Sequence, residues 1–301
     1  MQTRHLLLAL LCTVLWGLNF AVIKWGLHDM PALAFASLRF AVVALLAFFV
    51  ARPTVPVPAL IRYGVGWGAV QFGGLFLAIQ AGMPTGLASV LAQSQAVFTL
   101  LFAALAGQDR LLPFQYGVVL AAAAGITAIA LDQTAPIPPL ALLLSLIGAS
   151  GWAYGNLVIR RFSLAGHRAD SVGFVAWASI VPAFTLAALS ALLEDHNILF
   201  HLPAESLLRA TFAVLYQAIA ALLLGTLVWN SLLRHYPAPM VAPFSLLVPI
   251  VGLSVGVLLL QEKLSLMHAL GYALLLTAIT LNLVGLRATA ARSSLSATST
   301  R

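Results

Sequence analysis

The chain has 301 residues, 62% of them hydrophobic and 8% charged, with mean hydropathy +1.03 and formal net charge +7. A soluble domain carries roughly 25% charged residues, so this composition excludes a water-facing globular fold and predicts an all-α integral membrane protein. In that solvent the positive charge marks helix edges at anionic headgroups, and no nucleic-acid partner is implied.

Apolar runs long enough to cross roughly 30 Å of hydrocarbon lie at 6–24, 32–51, 62–81, 85–106, 114–131, 138–160, 171–193, 209–233, 238–260 and 266–286. They predict ten transmembrane helices. The gaps carry turn chemistry, as at Asp29-Met30-Pro31, Arg52-Pro53, Gly82-Met83-Pro84, Leu112-Pro113 and Tyr236-Pro237. Arg4 and His5 before an apolar run resemble a signal peptide. Leu11 before Cys12 does not suit a lipoprotein cleavage site, and the apolar sequence continues without a break, so a retained first helix is expected. Cys12 is the lone cysteine and excludes an intramolecular disulfide. With the N-terminus inside, Arg52, Arg62, Arg110, Arg160, Arg161, Arg234 and Arg287 fall on the cytoplasmic side, while Asp29, Asp132, Glu194 and Glu262 fall outside. That bias places both termini in the cytoplasm.

An internal duplication organises the chain. Pro84 to Leu111 overlays Pro237 to Leu264 without a gap, so that Gln108-Asp109-Arg110-Leu111 meets Gln261-Glu262-Lys263-Leu264. Upstream, Trp16, Val22, Ile23 and Lys24 match Trp152, Val158, Ile159 and Arg160, and an insertion falls near 194–206. Each half holds five helices. An odd number inverts the second half in the membrane, giving two inverted five-helix repeats over 1–133 and 134–286, followed by a disordered cytoplasmic tail at 287–301. Inverted repeats are a signature of alternating-access transport, with the substrate near the midplane between the halves.

Polar and aromatic residues inside the spans are the candidate substrate contacts. Trp16 and Asn19 share one helix face, as do Trp152 and Asn156. Gln71, Gln93, Gln95, Trp177, Tyr216 and Gln217 lie within other spans, with Trp229 near the end of one. These side chains suit a polar cavity for a small hydrogen-bonding solute. The same amides can instead glue helices together, and a terminal Trp can belong to an interfacial belt. Arg39 is about seven residues into the second span, a costly depth unless it snorkels, pairs or faces water. Either it or Lys24 could attract a substrate carboxylate.

No Asp or Glu lies mid-span, so no membrane-buried acid declares a proton carrier. Gly64-x-x-x-Gly68, Gly151-x-x-x-Gly155 and Gly252-x-x-x-Gly256 are packing motifs, and Pro243 and Pro249 should kink or loosen the ninth helix. An intramembrane enzyme is the competing class, on the strength of Gly148-Ala149-Ser150-Gly151. All seven histidines fall in loops or at span ends, which argues against a catalytic pair. No metal site or cofactor is indicated.

Trp16-Gly17-Leu18-Asn19-Phe20 with Lys24, then Leu38-Arg39-Phe40 and the polar clips, resemble two EamA domains of the drug/metabolite transporter superfamily. Gly26-Leu27-His28-Asp29-Met30-Pro31, Gly82-Met83-Pro84-Thr85-Gly86, Val241-Ala242-Pro243 and Gly285-Leu286-Arg287 are similar to bacterial inner-membrane exporters of O-acetylserine and cysteine. The resemblance implies efflux of a small metabolite by alternating access and carries over Trp16, Asn19, Lys24 and Arg39 as motif positions. The Gly-Glu common in such clips reads Gln108-Asp109 and Gln261-Glu262 here, keeping the acid as a capping group. The expected protein is thus a non-enzymatic inner-membrane exporter of small amino acids or derivatives, with an exporter of another metabolite or a toxic amphiphile as the alternative. Monomer and homodimer both remain open.

Overall fold

The computed structural model describes residues 1–106, 111–133, 135–164, 172–197, 203–236 and 238–299. The first clip, Gln108-Asp109-Arg110, and Pro237 lie outside the described residues. Everything described is helix or connection, with no strand among the described residues. Among the described residues, seven helices are long and apolar enough to cross a membrane: Thr3–Gly26, Thr85–Leu105, Pro113–Ala130, Pro139–Phe162, Val172–Leu193, Ala204–His235 and Leu266–Leu286. Ala32–Phe48 and Phe244–Leu258 are shorter apolar helices. Phe48, Phe49, Leu105 and Phe184 are among the most exposed side chains. Such a surface would aggregate in water, whereas in hydrocarbon it faces its own solvent.

In chain order, α1 is Thr3–Gly26 and α2 is Ala32–Ala44. Next, α3 (Val57–Tyr63) runs through a π-helical stretch, Gly64–Val70, into α4 (Gln71–Gln80). This segment is continuous yet not uniform, because the π stretch changes the rotation per residue. The fourth apolar run is likewise divided into α5 (Thr85–Ala92) and α6 (Gln95–Leu105). Its break is a tight turn, with the Gln93 and Ser94 amides donating three residues back to Val90 and Leu91. Then come α7 (Pro113–Ala130), α8 (Pro139–Leu164) and α9 (Val172–Leu193).

Further along, α10 (Ala204–Leu215) leads through a second π-helical stretch, Tyr216–Leu224, into α11 (Gly225–His235). The ninth run opens with α12 (Ala238–Val241), passes through a 3-10 turn, Ala242–Leu246, and resumes as α13 (Leu247–Leu258). The expected loosening falls at that turn. Pro249 sits in the first turn of α13, where no intrahelical amide is needed. Finally α14, Leu266–Ser299, carries helical backbone beyond the apolar stretch into the segment expected to be disordered.

Proline is the N-cap residue of four of these helices, α2, α3, α5 and α10, and two of them share one way of starting. Pro31 and Pro84 are the N-cap residues of α2 and α5, each with extended backbone and neither with a side-chain acceptor. The first-turn amides must therefore find an acceptor elsewhere. Glu194, just past α9, accepts from the amides of Leu33 and Ala34 at 2.8 and 3.0 Å. Glu262, just past α13, accepts from those of Thr85 and Gly86 at 2.7 and 3.0 Å. A carboxylate at a helix N-terminus also meets the positive end of the dipole.

The longest helix contacts are α2 along α9, α7 along α14, α4 along α8 and α1 along α13. Backbones meet where α4 crosses α8. A Cβ on Gly74 would lie 2.8 Å from the Leu144 carbonyl oxygen and 2.9 Å from the Gly148 nitrogen, so only glycine permits this approach. The G-x-x-x-G motifs also pack, Gly64 and Gly68 against Val181 and Pro182 of α9, and Gly252 against Ser89. The core between these crossings is aromatic and aliphatic, with Ile23, Phe35, Phe40, Phe76 and Leu186 fully or almost fully buried.

Candidate functional site

Arg39 lies in the middle of α2 and is 2% exposed. Its Nη1 donates to Gln217 Oε1 at 2.8 Å. Gln217, fully buried in the second π stretch, donates from Nε2 to the Asn19 carbonyl oxygen at 3.1 Å. One amide thus ties α1, α2 and the π stretch together at the guanidinium. On its other side the guanidinium carbon stands 4.0 Å from the Phe72 ring centroid and 5.1 Å from that of Phe40. Phe40 packs edge-on against Phe72 and Trp67, and Tyr63 stacks on Trp67. Ring faces stabilise a cation without neutralising it.

Arg39 has no carboxylate partner among the described residues, and its Nε has no hydrogen bond. A buried cation with one neutral hydrogen bond is under-compensated, since burial removes hydration that only an anion or several acceptors replace. The planar donor fork of arginine matches a carboxylate. Asn19 Oδ1 and Gln71 Oε1 are also buried without a hydrogen bond.

The other predicted site residues divide into separate groups. Asn156 Nδ2 donates to Gln95 Oε1 at 2.8 Å and to Thr99 Oγ1 at 3.2 Å, a cluster between α6 and α8. The Trp16 indole donates to the Ala221 carbonyl at 2.9 Å, and the Tyr216 hydroxyl to the Leu15 carbonyl at 2.9 Å. Both bonds fasten α1 to the second π stretch, the helix-gluing arrangement. Trp229 packs at a tilt against Trp16, with ring centroids 5.2 Å apart. The Trp177 indole donates to the Val50 carbonyl at 3.3 Å, away from Arg39 at the far end of the second run. Gln93 is buried at the break between α5 and α6, and Trp152 is half-buried on α8. The Ser150 hydroxyl donates back to the Ile147 carbonyl at 2.8 Å, as a packing serine does.

Lys24, expected to attract an anion, finds one within the chain. Its Nζ is 2.9 Å from Glu262 Oε1, the same carboxylate that caps α5. Burial pushes the Glu262 carboxyl up. Donation from the Gly86 and Thr85 amides and the Lys24 ammonium outweighs that push and leaves it below its ordinary value. Nearby, Ser265 Oγ donates to Asp132 Oδ2, and His268 Nε2 lies 3.3 Å from that oxygen. A cavity of about 240 Å³ at this end is lined by Lys24, Gly82, Pro84, Pro136, Glu262 and His268. A second, of about 410 Å³, is lined by Arg62, Phe102, Tyr154, Arg161 and Phe162 among others. The two lie at opposite ends of the Thr85–Leu105 helix, and Arg39 lines neither.

The sequence names one neighbour of Arg39 without its role and misses another. Gln217 is visible as a polar residue in an apolar run, but only the structure makes it the partner of Arg39. Phe72 has no polar signal at all.

The EamA-like transporter family matches residues 3–131 and 139–284, nearly the whole apolar chain in two successive blocks. The chain belongs to the EamA-like transporter family. It is thus a multi-pass membrane transporter, and its relatives are named as pumps and transporters. A probable amino-acid metabolite efflux pump of Escherichia coli K12 is 38% identical over 290 residues, covering 95% of this chain and 97% of the relative. A protein of the same description from Salmonella typhimurium is 38% identical over 283 residues, covering 93% of this chain and 95% of its own. An uncharacterized inner membrane transporter, YedA of Escherichia coli K12, is 27% identical over 280 residues, 90% of this chain and 88% of its own. One solved crystal structure covers 96% of this chain and 99% of its own at TM-score 0.62 and 17% identity, a likeness of fold.

Proposed function

We propose that this protein exports small amino acids or their derivatives, O-acetylserine and cysteine first among them, across the bacterial inner membrane. Transport runs by alternating access between two inverted five-helix halves, 1–133 and 134–286, with both termini cytoplasmic. The halves are supported by paired irregularities. The π stretches Gly64–Val70 and Tyr216–Leu224 occupy the third run of each half. The break at Gln93-Ser94 and the turn Ala242–Leu246 interrupt the fourth run of each. Broken helices around a central site are what alternating access uses.

One observation carries the substrate reading: Arg39, buried in the core with Nε unbonded and no carboxylate partner among the described residues. Arg39 receives the substrate carboxylate, and Phe72 and Phe40 hold the guanidinium plane. Asn19, Gln71, Gln93, Gln95, Trp152 and Asn156 shape the cavity as the halves rock, while Trp16, Tyr216 and Trp177 hold the surrounding helices through their bonds to backbone carbonyls. In this reading the Lys24–Glu262 pair closes the outer end.

The test is uptake of radiolabelled O-acetylserine and cysteine into inverted membrane vesicles, with Arg39→Gln and Arg39→Lys beside the parent. Accumulation above empty-vector vesicles that drops at least about tenfold in Arg39→Gln supports both the substrate and the carboxylate role. Accumulation unchanged by the mutation overturns the role of Arg39. No accumulation of either solute by folded parent protein overturns the amino-acid reading in favour of another metabolite or an amphiphile.

A further inference from the structure

The cavity of about 240 Å³ beside the Lys24–Glu262 pair holds a second pair of side chains, which neither the Arg39 site nor the Glu262 cap uses. Asp132 follows α7 and His268 stands in the first turn of α14, with side chains 1% and 2% exposed. His268 Nε2 is 3.3 Å from Asp132 Oδ2 yet makes no hydrogen bond, and His268 lines the cavity. Ser265 joins the two residues. Its hydroxyl accepts from the His268 amide at 2.9 Å and donates to the same Asp132 oxygen.

Buried polar atoms are normally bonded, so an unbonded ring nitrogen beside a carboxylate calls for a cause. A neutral imidazole with its proton on Nδ1 turns a lone pair toward the Asp132 oxygen, and two acceptors then face each other. One proton taken from the water of the cavity onto Nε2 converts that contact into a charge-assisted pair, with the carboxylate still ionised. Imidazole is the side chain that ordinarily changes charge between about pH 5 and 8. The other ionisable groups at this place are few. Lys24 and Glu262 line the same cavity and hold each other, and Lys263, also in its wall, is a cation over that range. Tyr272 follows one turn along α14, and tyrosine ordinarily titrates near about pH 10. The α4 and α5 helices carry no ionisable side chain, and α7 carries only Tyr116, close to its other end.

The chain connection gives such a proton a consequence. His268 comes shortly after Glu262, which caps α5 and binds Lys24. An ion pair between His268 and Asp132 fastens the start of α14 to the end of α7, and with it the connection that carries Glu262. We propose that Asp132 and His268 form a proton-binding site, filled from this cavity, that latches the outer end shut when occupied. The inference rests on the alternating-access reading, in which this end has to open, and adds a control which that reading lacks. Acid on the outer side slows the cycle without any proton crossing the membrane.

The experiment needs no substrate. Met83 is 1% exposed and lines the same cavity, so a cysteine there reacts with a water-soluble maleimide only when this end opens. Labelling rates of Cys12→Ser/Met83→Cys are measured in open membranes at about pH 5.5 and about pH 7.5, the two sides of the imidazole range, with no gradient present. The same double variant carrying His268→Met, or carrying Asp132→Asn, is measured beside it. The titration of the thiol itself is common to all three proteins and cancels in the comparison. At the higher pH the three should label within about twofold of one another, and at the lower pH the protein with both His268 and Asp132 should label at least about threefold more slowly than either variant. Equal ratios at the two pH values overturn the latch and leave the export reading standing. Slowing in acid that survives Asp132→Asn also overturns it, because that change keeps an acceptor for Ser265 and removes the anion. If Met83→Cys is never labelled in folded protein, this end does not open, and the latch falls together with alternating access. Uptake of O-acetylserine is not read, so failure of the substrate assignment alone leaves the result intact.

Discussion

Glu262 and Lys24 meet at 2.9 Å across 238 positions of sequence, and the same carboxylate caps the helix that begins at Thr85. One side chain therefore ties together the end of α1, the start of α5 and the connection into α14. Glu262→Gln should lower the thermal unfolding midpoint in detergent, by the equivalent of about 1–3 kcal/mol, because first-turn amides lose a charged acceptor. Lys24→Met should cost less than about 1 kcal/mol, since the lysine side chain is 44% exposed. Equal losses in the two variants would mean that the ion pair, and not the cap, holds this end.

The pH response of that end follows in sign. Glu262 sits below its ordinary value of 4.5 in the folded protein. A lowered folded value adds stability that is present above the unfolded value and lost as pH falls through the folded one. Melting curves between about pH 6 and pH 3.5 should therefore fall more steeply for the parent than for Glu262→Gln. Parallel curves would refute the assignment.

Gln217→Glu separates folding from transport. A carboxylate 2.8 Å from the position of Arg39 Nη1 would give the buried guanidinium the anion it lacks. The melting temperature should hold or rise, while uptake should drop by at least about tenfold because the site is already neutralised. Uptake at the parental level would show that the Arg39 charge need not be free for the substrate.

The crossing of α4 with α8 offers a purely structural test. Gly74→Ala pushes a methyl into the Gly148 backbone and should cost about 1–3 kcal/mol, seen as lower yield and melting temperature. Gly117→Ala, where nothing lies within 4 Å of the added carbon, should be neutral or stabilising by about 0.5–1 kcal/mol. Equal behaviour of the two would mean that close backbone approach is not what Gly74 provides.

Helix positions were legible because the membrane imposes one rule, apolar length, and proline and glycine punctuate it. Arg39 was legible as an anomaly for the same reason: a cation at that depth has to be explained. The acid of the second clip was readable as a cap, but not the helix it caps, because nothing around Pro84 tells that the Thr85 amide is served from 177 positions away. Gln217 and Tyr216 are neighbours in sequence, and helical periodicity alone does not tell which faces Arg39. The π stretch resets the angle between successive residues, and no local composition announces it. Gln95 and Asn156 read like Asn19 and Gln71 in sequence, yet the first two bond to each other and the last two keep free oxygens. Only packing distinguishes a satisfied amide from an unsatisfied one.

The prolines at 31 and 84 carry a consequence for motion. Four amides, those of Leu33, Ala34, Thr85 and Gly86, depend on Glu194 and Glu262 for their acceptors. Any rearrangement that draws these acids away strands the amides unless water arrives with it. Parting the helices at this end is thus inseparable from flooding it, and osmolytes too large to follow the water in will hold it shut.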